Sequence, residues 1–600
     1  MPSAPELADR PSPRGTWLLA AAVVAMGAAA YANALRAGFV YDDFPSIVRN
    51  PAVRDPASFL PGGPGYERRP NRAVGYMSFA LDHRLHGLDP AWFHATNVAV
   101  HLASALLVFA LVLLAFRTPR LRESRLAPLA PAVAFAAAAL FVAHPVETQA
   151  VTYVVQRLTS LATLFYLAAV VLYLRARLGG VRPSSIAWYL GAILSALLAT
   201  KTKEIAFTLP AALLACEALL LDGAVWHRAL PVAPFVALAG IIPSSLVRLG
   251  KPAGEVLADA ASATAVQTAT SRLDYLATQL VVVPRYLGLL VLPIGQNADP
   301  DVAVAASFLE PRVLAGGLVL AALAAAAAVL ARRGGRGWDP AALLAALGIL
   351  WFFLAASVES SVIPIVDVMN EQRVYLPSAG LFLAAAAGLA LLASRFTPRR
   401  AGAAAIAAAA LVAIALGIAT HVRNEVWRDQ LSLWADAAAK SPRKPRPLNN
   451  LGAALSEAGR ADEAAQAFLA AIRASPEHAE AYYNLGRLRM TARQDPAEAI
   501  RLFQTALALR PDYVDAYANL AGAYVQAGLP EAAVRVVEAA GPSVRDSAEA
   551  QFNLGVACAL LGDLARAGEQ VEVLWRLGSP LAVQLEAFVR SGAARSARGG

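Results

Sequence analysis

Long apolar runs separated by short polar stretches fill the first 420 residues, and amphipathic helices of a fixed period follow. A helix that crosses ~30 Å of hydrocarbon needs about 20 mostly apolar residues, because no unpaired peptide group is tolerated there. Trp17–Leu35 meets that demand first. Further runs lie near 95–116, 126–143, 158–175, 185–200, 205–221, 229–249, 308–331, 341–358, 376–394 and 402–420. An Ala-x-Ala pattern near Ala30 and Ala32 permits a cleaved leader, but the run is long for one, so a retained helix is expected. Leu273–Pro293 is apolar but broken by Pro284 and Arg285.

Loop charge decides the status of that last stretch. Arg117, Arg120, Arg122 and Arg125 mark one cytoplasmic loop, and Arg175, Arg177 and Arg182 mark the next. If Leu273–Pro293 lies along the outer surface as interfacial helices, two further loops also fall inside. These are the loops with Arg332, Arg333 and Arg336 and with Arg395, Arg399 and Arg400. The expectation is 11 spans. Loop 36–94, the loop near 250–307 and everything after Thr420 would then share the outer side.

Composition agrees. The chain has 600 residues, 58% hydrophobic and only 16% charged, against ~25% charged in an average soluble domain. Disordered, fibrous and ordinary soluble classes are excluded. Residues 421–600 hold 20 basic and 20 acidic groups, so the whole net charge of +9 belongs to the apolar part. Two cysteines, Cys216 and Cys558, make no disulfide framework.

From Pro447 the sequence repeats. Asn450-Leu451-Gly452, Asn484-Leu485-Gly486, Asn519-Leu520-Ala521 and Asn553-Leu554-Gly555 recur every 34 or 35 residues. Ala464, Phe468, Ala471 and Pro476 follow the first at tetratricopeptide offsets, and Ala499, Phe503, Ala506 and Pro511 follow the second. The fold class expected is all-α: a polytopic helical membrane domain followed by a tetratricopeptide α-solenoid. The divisions are a cytoplasmic tail 1–15, a multi-span domain 16–420, a linker helix 421–446, about four repeats over 447–590 and a disordered tail 591–600. Asn450, Asn484, Asn519 and Asn553 occupy one equivalent position. Their amides could pair with the backbone of an acceptor peptide, or simply recur as part of the repeat.

Charges at span mouths are costly to dehydrate and invite a functional reading. Tyr41-Asp42-Asp43 follows the first span, and adjacent carboxylates can hold one group near the pKa a general base needs. A basic run, Glu67-Arg68-Arg69-Pro70-Asn71-Arg72, comes next. His144 and Glu147 precede Arg157, which opens a span. Lys201 and Lys203-Glu204 lie between two spans, and Glu371-Gln372-Arg373-Val374-Tyr375 at another mouth. Each alone reads as a solvated loop. Five on one side describe a polar cavity with acids for proton transfer and cations for an anionic ligand.

The run Asn33–Ala52 resembles the first outer loop of transmembrane and tetratricopeptide repeat-containing proteins and their bacterial relatives. The resemblance continues through Arg69-Pro70, Tyr76–Asp82, Gly87–Pro90, Phe93–Asn97, His144-Pro145, Lys203-Glu204 and Glu371–Ser378. It implies the C-type glycosyltransferase fold, similar to protein O-mannosyltransferases, and a polyprenyl-phosphate-linked sugar used on the non-cytoplasmic face. The family's acidic motif corresponds to Asp42-Asp43, and its donor-phosphate cations to Arg69, Arg157, Lys203 and Arg373. His144, Glu147, Lys201, Glu204, Glu371 and Tyr375 would be supporting polar groups. A Thr-Lys pair before Lys203 and Asn71-Arg72 after Pro70 depart from the family pattern.

The implied reaction is an inverting transfer of a mannose-like sugar to an acceptor hydroxyl, of protein Ser or Thr, with Asp42 as base and Asp43 as helper. No metal or cofactor is expected, since the lipid-linked sugar is a co-substrate with phosphate as leaving group. The partners expected are that lipid, a polypeptide acceptor or envelope protein held by the repeats, and membrane lipids, without nucleic acid. High Ala and Arg content points to a bacterial inner membrane, with the repeats periplasmic. Two rivals stand: a non-catalytic tetratricopeptide scaffold for envelope assembly, and a transporter of lipid-linked sugars, which would need pseudo-symmetric halves.

Overall fold

A computed structural model describes residues 13–180, 182–242, 270–335 and 340–596. Two units separate, Met1–Leu433 and Trp434–Gly600. The secondary structure described in both is helical.

In the first unit, seven helices are long and apolar enough to cross a membrane: Pro13–Ala30, Pro90–Ala115, Val154–Gly179, Pro183–Thr200, Pro311–Gly335, Glu371–Phe396 and Pro398–Trp427. Ala127–Ala143 and Pro145–Val151, bent by 50°, make an eighth if taken as one span. Shorter apolar helices cover Leu209–Leu220, Val225–Ala239 and Ala341–Ala356. The protein is a polytopic membrane protein. Part of the run 229–249, Arg336 and most of the tail 1–15 lie outside the described residues.

Alanine explains the packing. Every residue of Ala130–Ala143 except Pro131 and Leu140 is buried. Small side chains on all faces let four helices close round it: Pro13–Ala30, Pro90–Ala115, Tyr375–Phe396 and Ala401–Asn424. By contrast, Pro311–Gly335 buries only Val313, Gly316 and Gly334, and leaves leucine and valine outward as a lipid-facing helix does.

The broken helices expected at 273–293 are one helix, Arg272–Val291, with Pro284 inside it. Proline removes the bond to the carbonyl four residues back, here Leu280. Gly316 of the neighbouring helix packs against that freed carbonyl: a Cβ there would lie 1.9 Å from it. Packing there holds together a helix that proline alone would break.

In the second unit, helix pairs cover Pro445–Glu457 with Ala461–Ala474, Ala479–Ala492 with Pro496–Leu509, Val514–Gln526 with Pro530–Glu538, and Ala548–Leu560 with Leu564–Arg576. Glycine is needed where helices meet: a Cβ on Gly452 would lie 2.6 Å from the Phe468 ring, and one on Gly486 2.8 Å from Phe503. Two expectations change. A helix, Leu581–Ser596, continues through 591–596, where a disordered tail was expected. The linker 421–446 comprises the end of Ala401–Asn424, a turn Glu425–Trp427 and a helix Gln430–Lys440.

Candidate functional site

Between the first two long helices, residues 36–89 fold as short helical turns, each begun by proline or a capping side chain. Pro51, Pro56, Pro64 and Pro70 open turns, where a missing N–H costs nothing. Asn50 and Asp55 accept the backbone N–H two residues on. The loop is thereby ordered without a long helix until Ala73–His86.

The two adjacent aspartates have different surroundings. Asp42 is exposed, and its backbone N–H donates to the Tyr153 hydroxyl at 3.0 Å. Asp43 is fully buried, and its carboxylate oxygens accept from the backbone N–H of Val40 at 2.9 Å and of Val155 at 2.7 Å. Burial pushes the Asp43 carboxyl up to about 8; the backbone N–H groups oppose this, and Asp42 adds to it. Tyr41 just before them has φ +48°, a left-handed conformation that is uncommon for a bulky residue. The pair thus splits into an exposed carboxyl and a buried one that anchors the loop.

The Arg157 guanidinium is completely buried. It meets Asp82 at 2.6 Å, donates to Asn97 Oδ1 at 2.5 Å and to the Phe93 carbonyl at 2.8 Å, and lies over the rings of Phe79 and Phe93. Its charge is spent on Asp82. The cation expected at the donor phosphate thus lies in an internal ion pair, and Asp82 is a partner that charge patterning alone did not single out.

Two residues on, the Thr159 hydroxyl accepts from Lys203 Nζ at 2.9 Å, and Lys203 also meets Glu359 at 2.9 Å. Burial alone would raise the Glu359 carboxyl, but Lys203, Arg373 and Arg72 hold it below its ordinary value. Arg72 makes a two-pronged bond to Glu204 at 3.1 and 3.2 Å. Arg373 donates to the carbonyls of Asp367 and Val368 and to the Tyr275 hydroxyl. Glu359 was missed at the sequence level; its signal is a lone carboxylate immediately after the apolar run 341–358.

Arg69 and Lys201 differ from these. Among the described residues neither has a carboxylate within ion-pair distance. Arg69 donates to the Tyr76 hydroxyl and lies 4.9 Å over its ring. Lys201 lies 5.5 Å from the Tyr66 ring centre and 3.4 Å from its hydroxyl. Burial, then the charges of Arg72 and Arg68, lower the Arg69 pKa. Two cations stand over tyrosines with their charge unneutralised.

The supporting groups divide. Glu204 joins the cations, whereas Glu371 accepts from the Asn297 N–H at 2.6 Å and from Gln296 at 3.1 Å, and so fastens a loop. His144 accepts from the Val146 N–H and reaches the Leu290 carbonyl. Tyr375 meets His101 at 2.8 Å in the core, and Glu147 is buried. In the repeats, Asn484 donates to Asn449, Asn519 to Tyr483 and Asn553 to the Ala518 carbonyl. These three amides bond to the preceding repeat, while Asn450 accepts from Asn449 of its own helix.

Family models described as tetratricopeptide repeat match residues 445–478 and 490–554. The chain is 25% identical over 532 residues to protein O-mannosyl-transferase Tmtc3 of Drosophila melanogaster, covering 76% of this chain and 55% of that protein. It is 25% identical over 511 residues to TMTC3 of Mus musculus, covering 78% and 52%. It therefore spans about half the length of the curated relatives it matches. Among solved structures, the crystal structure of MamA protein aligns with TM-score 0.22 at 23% identity, over 26% of this chain and 81% of that one. The likeness to these O-mannosyl-transferases covers about three quarters of the chain, more than the repeats alone, and the chain is similar to them in its membrane unit as well as in its tetratricopeptide repeats.

Proposed function

We propose that this protein is a membrane O-glycosyltransferase that moves a mannose-like sugar from a polyprenyl-phosphate donor to a Ser or Thr hydroxyl of a polypeptide. The observation that carries the reading is charge accounting. Arg157, Lys203 and Arg72 each have a carboxylate, while Arg69 and Lys201 rest on tyrosines and keep their charge for a ligand.

Asp42 takes the hydroxyl proton as the acceptor oxygen attacks the anomeric carbon. The bond from that carbon to the phosphate oxygen breaks, and the lipid phosphate leaves with the electron pair and inverted sugar stereochemistry results. Negative charge developing on the phosphate is met by Arg69 and Lys201 in a partly desolvated site. An apolar groove of about 550 Å³, with Leu290, Val291, Leu323 and Phe382 among its lining, suits an isoprenoid chain. It starts one residue beyond Tyr286, whose hydroxyl bonds both the N–H and the carbonyl of Asn370. The repeats supply an acceptor surface and raise its local concentration.

Purified protein in lipid nanodiscs, given radiolabelled polyprenyl-phosphate mannose and a Ser/Thr-rich peptide, tests this. Transfer by the wild type and none by Asp42→Asn is the expected result. Binding of the lipid without transfer would favour a scaffold, and equal transfer by both proteins would remove Asp42 as the base.

A further inference from the structure

The acid loop is held from one side by the stretch 152–155. The Tyr153 hydroxyl accepts the Asp42 N–H at 3.0 Å, and the Val155 N–H donates to the Asp43 carboxylate at 2.7 Å. Tyr153 is 4% exposed and its ring stacks on Trp427, with centres 5.2 Å apart and planes 21° from parallel. The stretch is itself tied down. Thr152 donates to Asn424 at 2.8 Å, and Asn424 donates to the Ala30 carbonyl and to Asn33, both at 3.0 Å. Finally, Gly38 N–H donates to the Arg428 carbonyl at 2.8 Å, which fixes the far side of the loop on the same segment as Trp427.

We propose that Tyr153, seated on Trp427, is a positioning residue that holds the backbone of Asp42 so that its exposed carboxyl points where the acceptor hydroxyl must bind. The proposal rests on the transferase reading of Asp42. The left-handed Tyr41 immediately before is the reason such a hold is needed. A bulky residue leaves that conformation unless its surroundings over-determine it. If the Asp42 N–H lost its acceptor, the left-handed Tyr41 would no longer be held from outside the turn, and the Tyr41–Asp42 peptide and the Asp42 carboxyl would shift with it. The other bonds of the turn, Asp43 N–H to the Val40 carbonyl, Phe44 N–H to the Tyr41 carbonyl and Ser46 N–H to the Asp42 carbonyl, leave the Asp42 N–H itself to the Tyr153 hydroxyl.

Tyr153→Phe removes the hydroxyl and keeps the ring on Trp427. The expected result is a fall in kcat of about 10- to 100-fold, since a misplacement of ~1 Å at a reacting group costs that much. KM for the lipid donor should stay within about twofold, because Tyr153 touches neither Arg69 nor Lys201. Trp427→Phe, which keeps an aromatic platform, should retain more activity than Trp427→Ala. Hydrogen–deuterium exchange gives a readout independent of transfer: amides of residues 42–44 should exchange at least tenfold faster in Tyr153→Phe, with the Pro90–Ala115 helix unchanged. An unchanged kcat, a donor KM that rises as kcat falls, or unchanged exchange at 42–44 overturns the proposal. Loss of the transferase reading is distinct: wild type would transfer no sugar, or Asp42→Asn would match it, whatever the exchange showed.

Discussion

Arg157 and Asp82 form a 2.6 Å ion pair in which the guanidinium is wholly enclosed and the carboxylate 11% exposed. Asn97 and the Phe93 carbonyl complete the arginine's hydrogen bonding, so the buried charge is neutralised and satisfied. Removing either partner leaves the other uncompensated, at a cost of about 3–5 kcal/mol. Arg157→Ala should therefore lower the melting temperature in detergent sharply, together with all activity. A variant that folds like the wild type and shows only a raised donor KM would restore Arg157 to the phosphate.

The opposite is expected of Arg69 and Lys201. Neither is engaged by a carboxylate, so replacing either by Ala removes charge directed at a ligand and leaves no stranded partner. Each substitution should raise the donor KM about tenfold or more, the range of a charge-assisted bond, with little change in melting. Arg72→Ala, which strands Glu204, should instead act on stability. Donor titration of the three variants separates them, and equal donor KM effects would dissolve the distinction.

Sequence patterning showed which stretches carry charge but could not show how that charge is paired. Asp42-Asp43 was legible as an acidic pair, yet burial of one and exposure of the other depend on Val40 and Val155, which no spacing rule connects. Lys203 reads as a phosphate ligand until Glu359, 156 positions away, is found 2.9 Å from it. Pro284 reads as a helix break because the glycine that meets its freed carbonyl lies on another helix. The repeats were legible for the converse reason: each unit packs chiefly on its sequence neighbours, so the local period contains the fold.

Asp43 gives the protein a pH signature. Its carboxyl is pushed up to about 8 by burial, against 3.8 when exposed to water. Between those values the folded protein keeps a proton that the unfolded chain has released, so stability falls as pH rises. The contribution is complete below about pH 4 and lost above about pH 8, with a slope of at most about 1.4 kcal/mol per unit. Asp43→Asn cannot titrate and should lack that slope. Denaturant unfolding of both proteins from pH 4.5 to 8.5 checks this; parallel curves would show that Asp43 is ionised throughout.

The repeat asparagines offer a prediction whose direction the structure reverses. Asn484 Nδ2 donates to Asn449 Oδ1 at 3.0 Å, and Asn449 is 6% exposed, so the bond joins the first helices of adjacent repeats where water is largely excluded. Removing the amide in Asn484→Ala leaves the Asn449 oxygen short of a donor, at a cost of about 1–3 kcal/mol for an unsatisfied buried acceptor. Because repeat stability is a sum of unit and interface terms, the loss falls on the coupling between the first two repeats. Melting of the repeats, followed by hydrogen exchange in the full chain, should therefore come earlier at Ala479–Ala492, while affinity for an acceptor peptide stays within about twofold. Unchanged exchange with weakened peptide binding would mean that the amide faces a ligand after all.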